Sequence, residues 1–465
     1  MRPVPRRALR LLILIVGILG IPMAVHGQER PPIVFPNTQY EPVDWTNLDG
    51  WESDDHVAAF AAFLASCRTL EAKHRRERDL TAIPSALKGI CELARKAVPL
   101  DEDGARKFFE DNFRPIRINK LGDTDGFLTG YYEPIIDGSR VPTGEFTAPL
   151  YRRPPNLVVS GWRRLGKQVF PSKGVLVGRR VGRRKIVPYY TRAEIEDGAL
   201  DGWHLEICYL HDQVDVLFAQ IQGSARIRLE DGTILRVNYD SHNGWPYTPV
   251  GRILVDDKIM TKDQVSMQSI RAWMEANPDQ AKEVRRENKS YVFFRITDLA
   301  TEDEAVGGEG VELTPGRSIA VDRSLHAYGT PFFIEADLPI ANQKAETKFD
   351  RLVIAQDTGS AIVGPARADI YFGAGDEAAR IAGRIKHAGE FTMLIPRQLD
   401  PVEAGRDTPL PPERLSGFSL NFSASTMVDP TAVDPTAEAT PQPKTKPAPA
   451  VTSAAKPNGK SRRKK

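Results

Sequence analysis

From about residue 126 onward the chain is written in short β-rich runs punctuated by Gly, Pro and Asp, and this texture narrows the available folds most sharply. Residues 126–132, 203–209 and 217–221 read as strands. The runs 226–230 and 233–237 alternate around Asp231-Gly232, a pair that favours a tight hairpin turn. One helix, 267–276, interrupts before a strand at 291–296. A second β region follows at 318–322, 331–336, 352–356 and 368–372, then a helix over about 377–386 and a closing strand at 391–395. Many short strands spaced by turns, without regular βα alternation, predict barrels rather than a doubly wound sheet.

Ahead of this region the pattern is helical. Val57, Phe60, Phe63, Leu64 and Cys67 recur at helical spacing within 54–70, and similar patterns cover 85–97 and 102–112. A chain of 465 residues exceeds the length at which one core stops growing, about 250–300 residues, so two folded units are expected. The fold class is therefore mainly β with helices, an α+β protein whose N-terminal part is helical.

Both ends read differently. Arg2, Arg6, Arg7 and Arg10 precede an apolar run over 11–25 broken by Pro22, a basic region followed by a hydrophobic one as in a secretory signal. The run is short for a membrane span of roughly 20 apolar residues. The small Gly27 places cleavage before Gln28, with an uncleaved anchor as the alternative. No Cys follows the apolar run to carry a lipid, so the expected location is the periplasm, with association to the outer membrane or wall as an alternative. From about residue 398 the composition turns to Pro, Thr, Ala and Lys, too poor in large apolar side chains to repay ordering, and reads as a disordered tail. The formal charge is +2; without the four signal arginines and the eight Lys or Arg from Lys444 onward, residues 28–443 carry −10. Such an acidic body lacks the basic face of a nucleic-acid binder.

Three aspartates stand at the ends of predicted strands: Asp322 in VDRS, Asp357 in QDTGSAI and Asp369 in ADIYFGAG. Each alone reads as a turn-capping residue; together they suit a cleft where a polymer approaches glycine-flanked backbone. Asp357-Thr358-Gly359 also mimics an aspartic-protease loop, but that chemistry shares a proton between two aspartates and no second DTG exists. Tyr131 and Tyr132 end a strand beside Thr129 and Gly130, so one ring faces away from the core and suits stacking on a sugar. Gln220, Gln222 and Ser224 alternate on a predicted strand face as hydrogen-bonding groups for hydroxyls or acetamides, or simply as a solvated face. The histidines and cysteines show no metal-ligand spacing, and Gly307, Gly308 and Gly310 do not make a phosphate loop, so neither metal nor cofactor is expected. Cys67 and Cys91 lie on neighbouring predicted helices and form the candidate disulfide, the alternative being that they and Cys208 are small buried hydrophobes.

In this order, TGYYEP, AQIQGSARIRLEDG with NGWPY, VDRS, AQDTGSAI and DIYFGAG resemble the family of membrane-bound lytic murein transglycosylase A, over roughly 126–397. The resemblance implies a double-psi β-barrel domain assembled from 45–133 and 301–397, with a second small β-barrel domain inserted at 134–300. Residues 1–27, 28–44 and 398–465 are then signal peptide, linker and tail. It implies Asp369 as the single catalytic residue, Asp322 and Asp357 as supporting carboxylates, and Thr129, Tyr131, Gln222 and Ser224 along the glycan groove. Ser360, where a second glycine is expected, the missing lipid-bearing cysteine and the long tail depart from the family pattern.

The implied partner is the peptidoglycan glycan strand, cleaved between N-acetylmuramic acid and N-acetylglucosamine by a monomer, with cell-wall synthesis or envelope proteins as further partners. Such an acid must be protonated near neutral pH, whereas an ordinary Asp has a pKa of about 3.9. The apolar neighbours Ala368, Ile370 and Tyr371 and the charges of Asp357 and Asp322 are the features expected to raise it. The rival readings are a hydrolase on the same barrel, using two carboxylates roughly 5–9.5 Å apart, and a non-catalytic, expansin-like wall-binding protein.

Overall fold

The computed structural model describes residues 37–74, 82–160, 176–183, 185–341 and 347–400. The expected signal peptide, the linker up to residue 36 and the tail beyond residue 400 lie outside the described residues. Within the expected linker, β1 (Thr38–Pro42) instead forms a strand, because it finds an antiparallel partner in β2 (Phe113–Lys120). Three helices fill the interval: α1 (His56–His74), α2 (Ala82–Ala97) and α3 (Glu102–Asn112). Asp101 starts α3 by accepting the Gly104 backbone N–H at 2.9 Å. Phe60 and Phe63 of α1 pack edge-on against Phe108 and Phe109 of α3. Cys67 and Cys91 join α1 to α2 as a disulfide with Cα atoms 5.3 Å apart, while Cys208 is a buried free thiol.

This helical layer covers one side of an eight-stranded sheet. Its strands are β1, β2, β3 (Gly126–Glu133), β13 (Ser318–Val321), β14 (Pro331–Glu335), β17 (Arg351–Asp357), β18 (Arg367–Ala374) and β19 (Lys386–Pro396), in the order β1-β2-β19-β14-β17-β13-β18-β3. β3 also pairs with β19, antiparallel, from Lys386 opposite Thr129 to Gly389 opposite Gly126. β3 thus lies between β18 and β19, and six of the strands follow one another in a hydrogen-bonded circuit. Leu128, Ile319, Val353, Ala368, Ile370 and Met393 belong to one buried hydrophobic cluster on these strands. The short α9 (Gly375–Ala382) crosses β3 at Gly130, where any Cβ would lie 2.8 Å from the Ala382 Cα. A two-stranded ribbon, β15 (Asp337–Leu338) with β16 (Thr347–Lys348), flanks the sheet.

Between β3 and β13 the chain builds a second unit. β4 (Ile135–Ser139), β5 (Ala148–Tyr151), β9 (Glu206–Leu210), β10 (Ser224–Leu229), β11 (Ile234–His242) and β12 (Val292–Ile296) form a sheet in the order β12-β11-β10-β4-β9-β5. β6 (Leu157–Ser160), β7 (Leu176–Val181) and β8 (Lys185–Val187) make a separate antiparallel sheet. The helices are α4 (Arg192–Glu196), α5 (Gln213–Gln222), α6 (Val250–Asp256), α7 (Met267–Ala276) and α8 (Pro278–Glu287). Glu133, at the end of β3, is buried and receives Arg226 of β10 at 2.7 Å and Arg236 of β11 at 3.0 Å. One carboxylate therefore bridges two guanidinium groups where the chain leaves one sheet for the other, with Glu304 3.6 Å from Arg226 as a second acid, and the Arg226 guanidinium also binds the Thr301 carbonyl where it returns.

The mixed α+β class and the Asp231-Gly232 hairpin match the pattern of the sequence, with Gly232 at φ 81°. Three local expectations fail. Residues 217–221 belong to helix α5, not a strand: Asp212 caps its start, left-handed Gly223 ends it, and Val214, Val216, Leu217, Phe218 and Ala219 are buried on several sides. A helix apolar all round loses the 3.6-residue period that distinguishes it from a strand. Gln220 and Gln222 accordingly lie in its last turn rather than alternating on a strand. α6 and α8 join α7, where a single helix was expected. The helix expected to reach 386 stops at Ala382, because Lys386 is claimed by the β19–β3 ladder.

Replacing Cys67 and Cys91 together by Ala frees a loop of sequence separation 24 in the unfolded chain. The expected loss is about 3 kcal/mol in denaturant unfolding. Reductant should destabilise the wild type similarly and leave the double variant unmoved; a loss below about 1 kcal/mol contradicts this role.

Candidate active site

Asp369 is the third residue of β18, its Cα opposite Ala320 of β13 on one side and Thr129 of β3 on the other. Its neighbours Ala368 and Ile370 are fully buried in the core. Strand alternation turns Asp369 to the opposite side together with Arg367, and there it keeps partial contact with solvent. Thr129 Oγ1 donates to Asp369 Oδ1 at 2.7 Å, and Arg367 Nη2 donates to Thr129 Oγ1 at 2.8 Å. Burial pushes the Asp369 carboxyl up to about 6; the Arg367 charge and the Thr129 hydrogen bond pull against this, and Asp357 adds to the rise. A carboxyl so placed keeps its proton in about one molecule in ten at pH 7, far more often than an ordinary aspartate of pKa about 3.9.

Asp357 ends β17 with both oxygens occupied. Oδ2 accepts from the Tyr131 hydroxyl at 2.9 Å, and Oδ1 accepts from the Gly308 and Thr358 backbone N–H groups at 2.8 Å each. Burial raises its pKa even though these donors favour the charged form. Gly308 allows the approach, since a Cβ there would stand 2.5 Å from the Tyr328 hydroxyl. The glycines at 307 and 308 thus serve a carboxylate rather than a phosphate. Beneath them the Tyr131 ring lies 5.2 Å from that of Tyr371, whose hydroxyl donates to Glu304 at 2.7 Å.

Asp322 acts as a loop tie. Its carboxylate accepts from Ser324 N–H at 2.9 Å, from the Ser324 hydroxyl at 2.6 Å and from Gly364 N–H at 2.9 Å. Its charge is not among the causes that raise Asp369. Tyr131 is the inward ring of the pair, only 8% exposed, and Tyr132 is the one that reaches the surface. Gln222 and Ser224 are 9% and 7% exposed, and the Gln222 side-chain oxygen is engaged by the Tyr132 backbone N–H at 3.0 Å. Among the named groove residues, then, Thr129 touches Asp369 directly and Tyr131 orients Asp357, while Gln222 holds the β3 backbone.

In the second unit Tyr247, in the turn after Asn243, has its hydroxyl pushed up to about 12 by burial; Arg192 lowers it and the Asp369 charge raises it. Arg367 and Tyr247 were not singled out from the sequence. For Arg367 a signal existed, because residues two apart on a strand share a face, so any reading that makes Asp369 functional implicates its i−2 cation. Tyr247 offered none, since only the tertiary fold brings it under the Asp369 charge. Among the described residues, no group of three or more His, Cys, Asp or Glu is arranged to hold a metal ion.

Fold and site together define an α+β protein in which a carboxyl of raised pKa is set in a strand ladder, held by Thr129 and Arg367. Residues 127–295 match the MltA specific insert domain, and residues 317–395 match the 3D domain. Membrane-bound lytic murein transglycosylase A of Escherichia coli (strain K12) is 33% identical over 297 residues, spanning 63% of this chain and 72% of that protein. The crystal structure of a membrane-bound lytic murein transglycosylase from Agrobacterium tumefaciens is similar at a TM-score of 0.68 and 34% identity, over 79% of this chain and 99% of that one. E. coli MltA with bound chitohexaose is similar at a TM-score of 0.54 and 25% identity, over 77% and 94%. The chain belongs to the membrane-bound lytic murein transglycosylase A family.

Because Arg367 stabilises the ionised form of Asp369, Arg367→Met is expected to raise the Asp369 pKa further, by about one unit. Carboxyl ¹³C NMR titration reads this directly. An unchanged or lowered pKa contradicts the electrostatic assignment.

Proposed function

We propose that this protein is a peptidoglycan lytic transglycosylase, cleaving the β-1,4 bond between N-acetylmuramic acid and N-acetylglucosamine without water and using Asp369 first as acid and then as base. The observation that carries this reading is a partly exposed carboxyl pushed up to about 6 whose nearest carboxylate neighbour has both oxygens engaged. A hydrolase requires a second carboxylate free to activate water. Asp357 is held by Tyr131, Gly308 and Thr358 and is poorly placed for that task.

The protonated Asp369 donates to the glycosidic oxygen as the bond from that oxygen to the muramic acid anomeric carbon breaks. The resulting carboxylate then takes the proton of the muramic acid 6-hydroxyl, whose oxygen bonds to the same anomeric carbon. One proton leaves Asp369 and one returns; the products are a 1,6-anhydro sugar end and a free 4-hydroxyl. Since the nucleophile is tethered to the substrate, no water has to be oriented, and proximity supplies what a second carboxylate would. Thr129 and Arg367 keep the carboxylate from being overly costly once the proton has gone.

The same reading extends to architecture and location. The circuit of six strands, with parallel β3–β18 and β13–β17 pairs, is what supports a double-psi β-barrel for 45–133 with 301–397. The second sheet, whose outer strands meet at the Arg152–Phe294 bridge, supports a small inserted barrel at 134–300. Glycan lies between them, a placement consistent with a relative that binds chitohexaose. An exported monomer acting in the periplasm, close to the membrane as its relatives' names imply, completes the proposal.

The test is mass spectrometry of muropeptides released from purified sacculi. The wild type is expected to give 1,6-anhydro products, lighter by one water than hydrolytic ones, and Asp369→Asn to lower their yield at least about 10³-fold while remaining folded. Reducing-end products from the wild type, or substantial anhydro product from Asp369→Asn, would overturn the reading.

A further inference from the structure

Between Arg152 and Tyr190 the chain carries eleven Lys or Arg and no Asp or Glu, although residues 28–443 as a whole carry −10. The described part of this segment is the β6–β7–β8 sheet. Arg152, Arg153, Arg180, Arg183 and Lys185 are exposed there, and the last three form no ion pair among the described residues. Arg153 meets Asp240 only at 3.8 Å. Like charges gathered on one small sheet repel one another, and an anionic partner would supply the compensation. Beside them lies an open concavity of about 550 Å³, lined by Arg153, Asn156, Val158, Val159 and Arg180.

The position of this sheet indicates which anion it serves. β7 rests on the turn that leads to Tyr247: Gly244 packs so closely that a Cβ would stand 2.7 Å from the Val177 Cβ. The Arg179 guanidinium lies 4.3 Å from the Tyr190 ring centre, and Trp245 Nε1 donates to the Tyr189 carbonyl at 2.9 Å. Two residues beyond Trp245 comes Tyr247, whose hydroxyl feels the Asp369 charge. The basic sheet therefore packs on the same turn that carries Tyr247. Its exposed apolar side chains among the described residues, Val159 and Val181, are small for seating in a lipid surface, which favours aromatic and leucine anchors.

The geometry points to a docking surface for the carboxylate-bearing peptides that hang from the muramic acid of a glycan strand lying in the cleft. This rests on the function proposed above and adds that the substrate is recognised through its peptides as well as its sugars. Glycan hydroxyls offer no net charge, whereas stem peptides carry several carboxylates that a row of guanidinium groups can pair with in forks. The acidic remainder of the body repels the same peptides, so binding concentrates on the ribbon.

The experiment compares the full-length wild type with R180Q/R183Q/K185Q in sedimentation binding to two probes: purified sacculi with intact peptides, and the same sacculi stripped of peptides by an amidase. Expected is a loss of about tenfold in affinity of the triple variant for intact sacculi, with most of the salt dependence gone, and a change of less than about twofold on stripped sacculi. Circular dichroism checks folding, and R180K/R183K should restore binding to the glutamine variant. Equal losses on both probes, or no loss on either, overturn the proposal. So does loss of binding to phosphatidylglycerol vesicles with intact sacculi unaffected, which would make the ribbon a membrane contact. Muropeptide analysis of the wild-type reactions separates the two levels: anhydro products without a peptide effect sink only this inference, and absence of anhydro products sinks the function on which it rests.

Discussion

The parallel pairing of β3 with β18 is the constraint on which the rest of the structure depends. It sets Thr129 opposite Asp369, 240 residues apart in the chain, and the β3–β19 ladder secures the same strand from its other side. Contacts this distant in sequence must repay a large loop-closure entropy before they contribute. That repayment comes from the fully buried residues Leu128, Ala368 and Ile370 on the inner side of the two strands. The insert between β3 and β13 can then vary in size without moving the site, provided its exit and return are held. Glu133, Arg226, Arg236 and the 300–303 carbonyls hold them.

The chemistry follows from where that pairing puts a carboxylate. Desolvation is the dominant influence on Asp369, and the cation and hydroxyl beside it are too weak to cancel it. Remove Arg367 and the group holds its proton too tightly and becomes a reluctant acid; add a free donor or open the site to water and it becomes an ordinary, ionised aspartate that cannot protonate a leaving group. Asp357 tunes the same balance by repulsion while being anchored by three donors. Asp322 contributes loop geometry and is not among the causes that shift Asp369. The three aspartates of the motif therefore divide into a carboxyl of raised pKa, its charge neighbour and a structural tie.

Much of this could be read from the residues. The Asp231-Gly232 hairpin, the strands of the second β region and helices α1 to α3 follow from turn chemistry and periodicity, which are local. Asp369 was one of three strand-end aspartates, and it was singled out by the resemblance of its DIYFGAG motif to the family pattern. What escaped was non-local or lacked a period. Helix α5 is buried nearly all round, so Leu217, Phe218 and Ala219 look like a strand, and the amides of Gln220 and Gln222 were credited with a face they do not share. The inward turn of Tyr131 depends on its hydroxyl meeting Asp357, a contact across 226 residues. Tyr247 becomes relevant only once two sheets are folded against each other.

The central claim is that desolvation keeps Asp369 protonated for its first step, and the pH dependence of kcat/KM on purified sacculi tests it most directly. Because the active form is the acid, the account predicts a rate that is level well below pH 6, is halved at the Asp369 pKa of about 6 and approaches a tenfold fall per unit well above it. A rate that climbs through that same interval, as for a residue working from its ionised form, would contradict it.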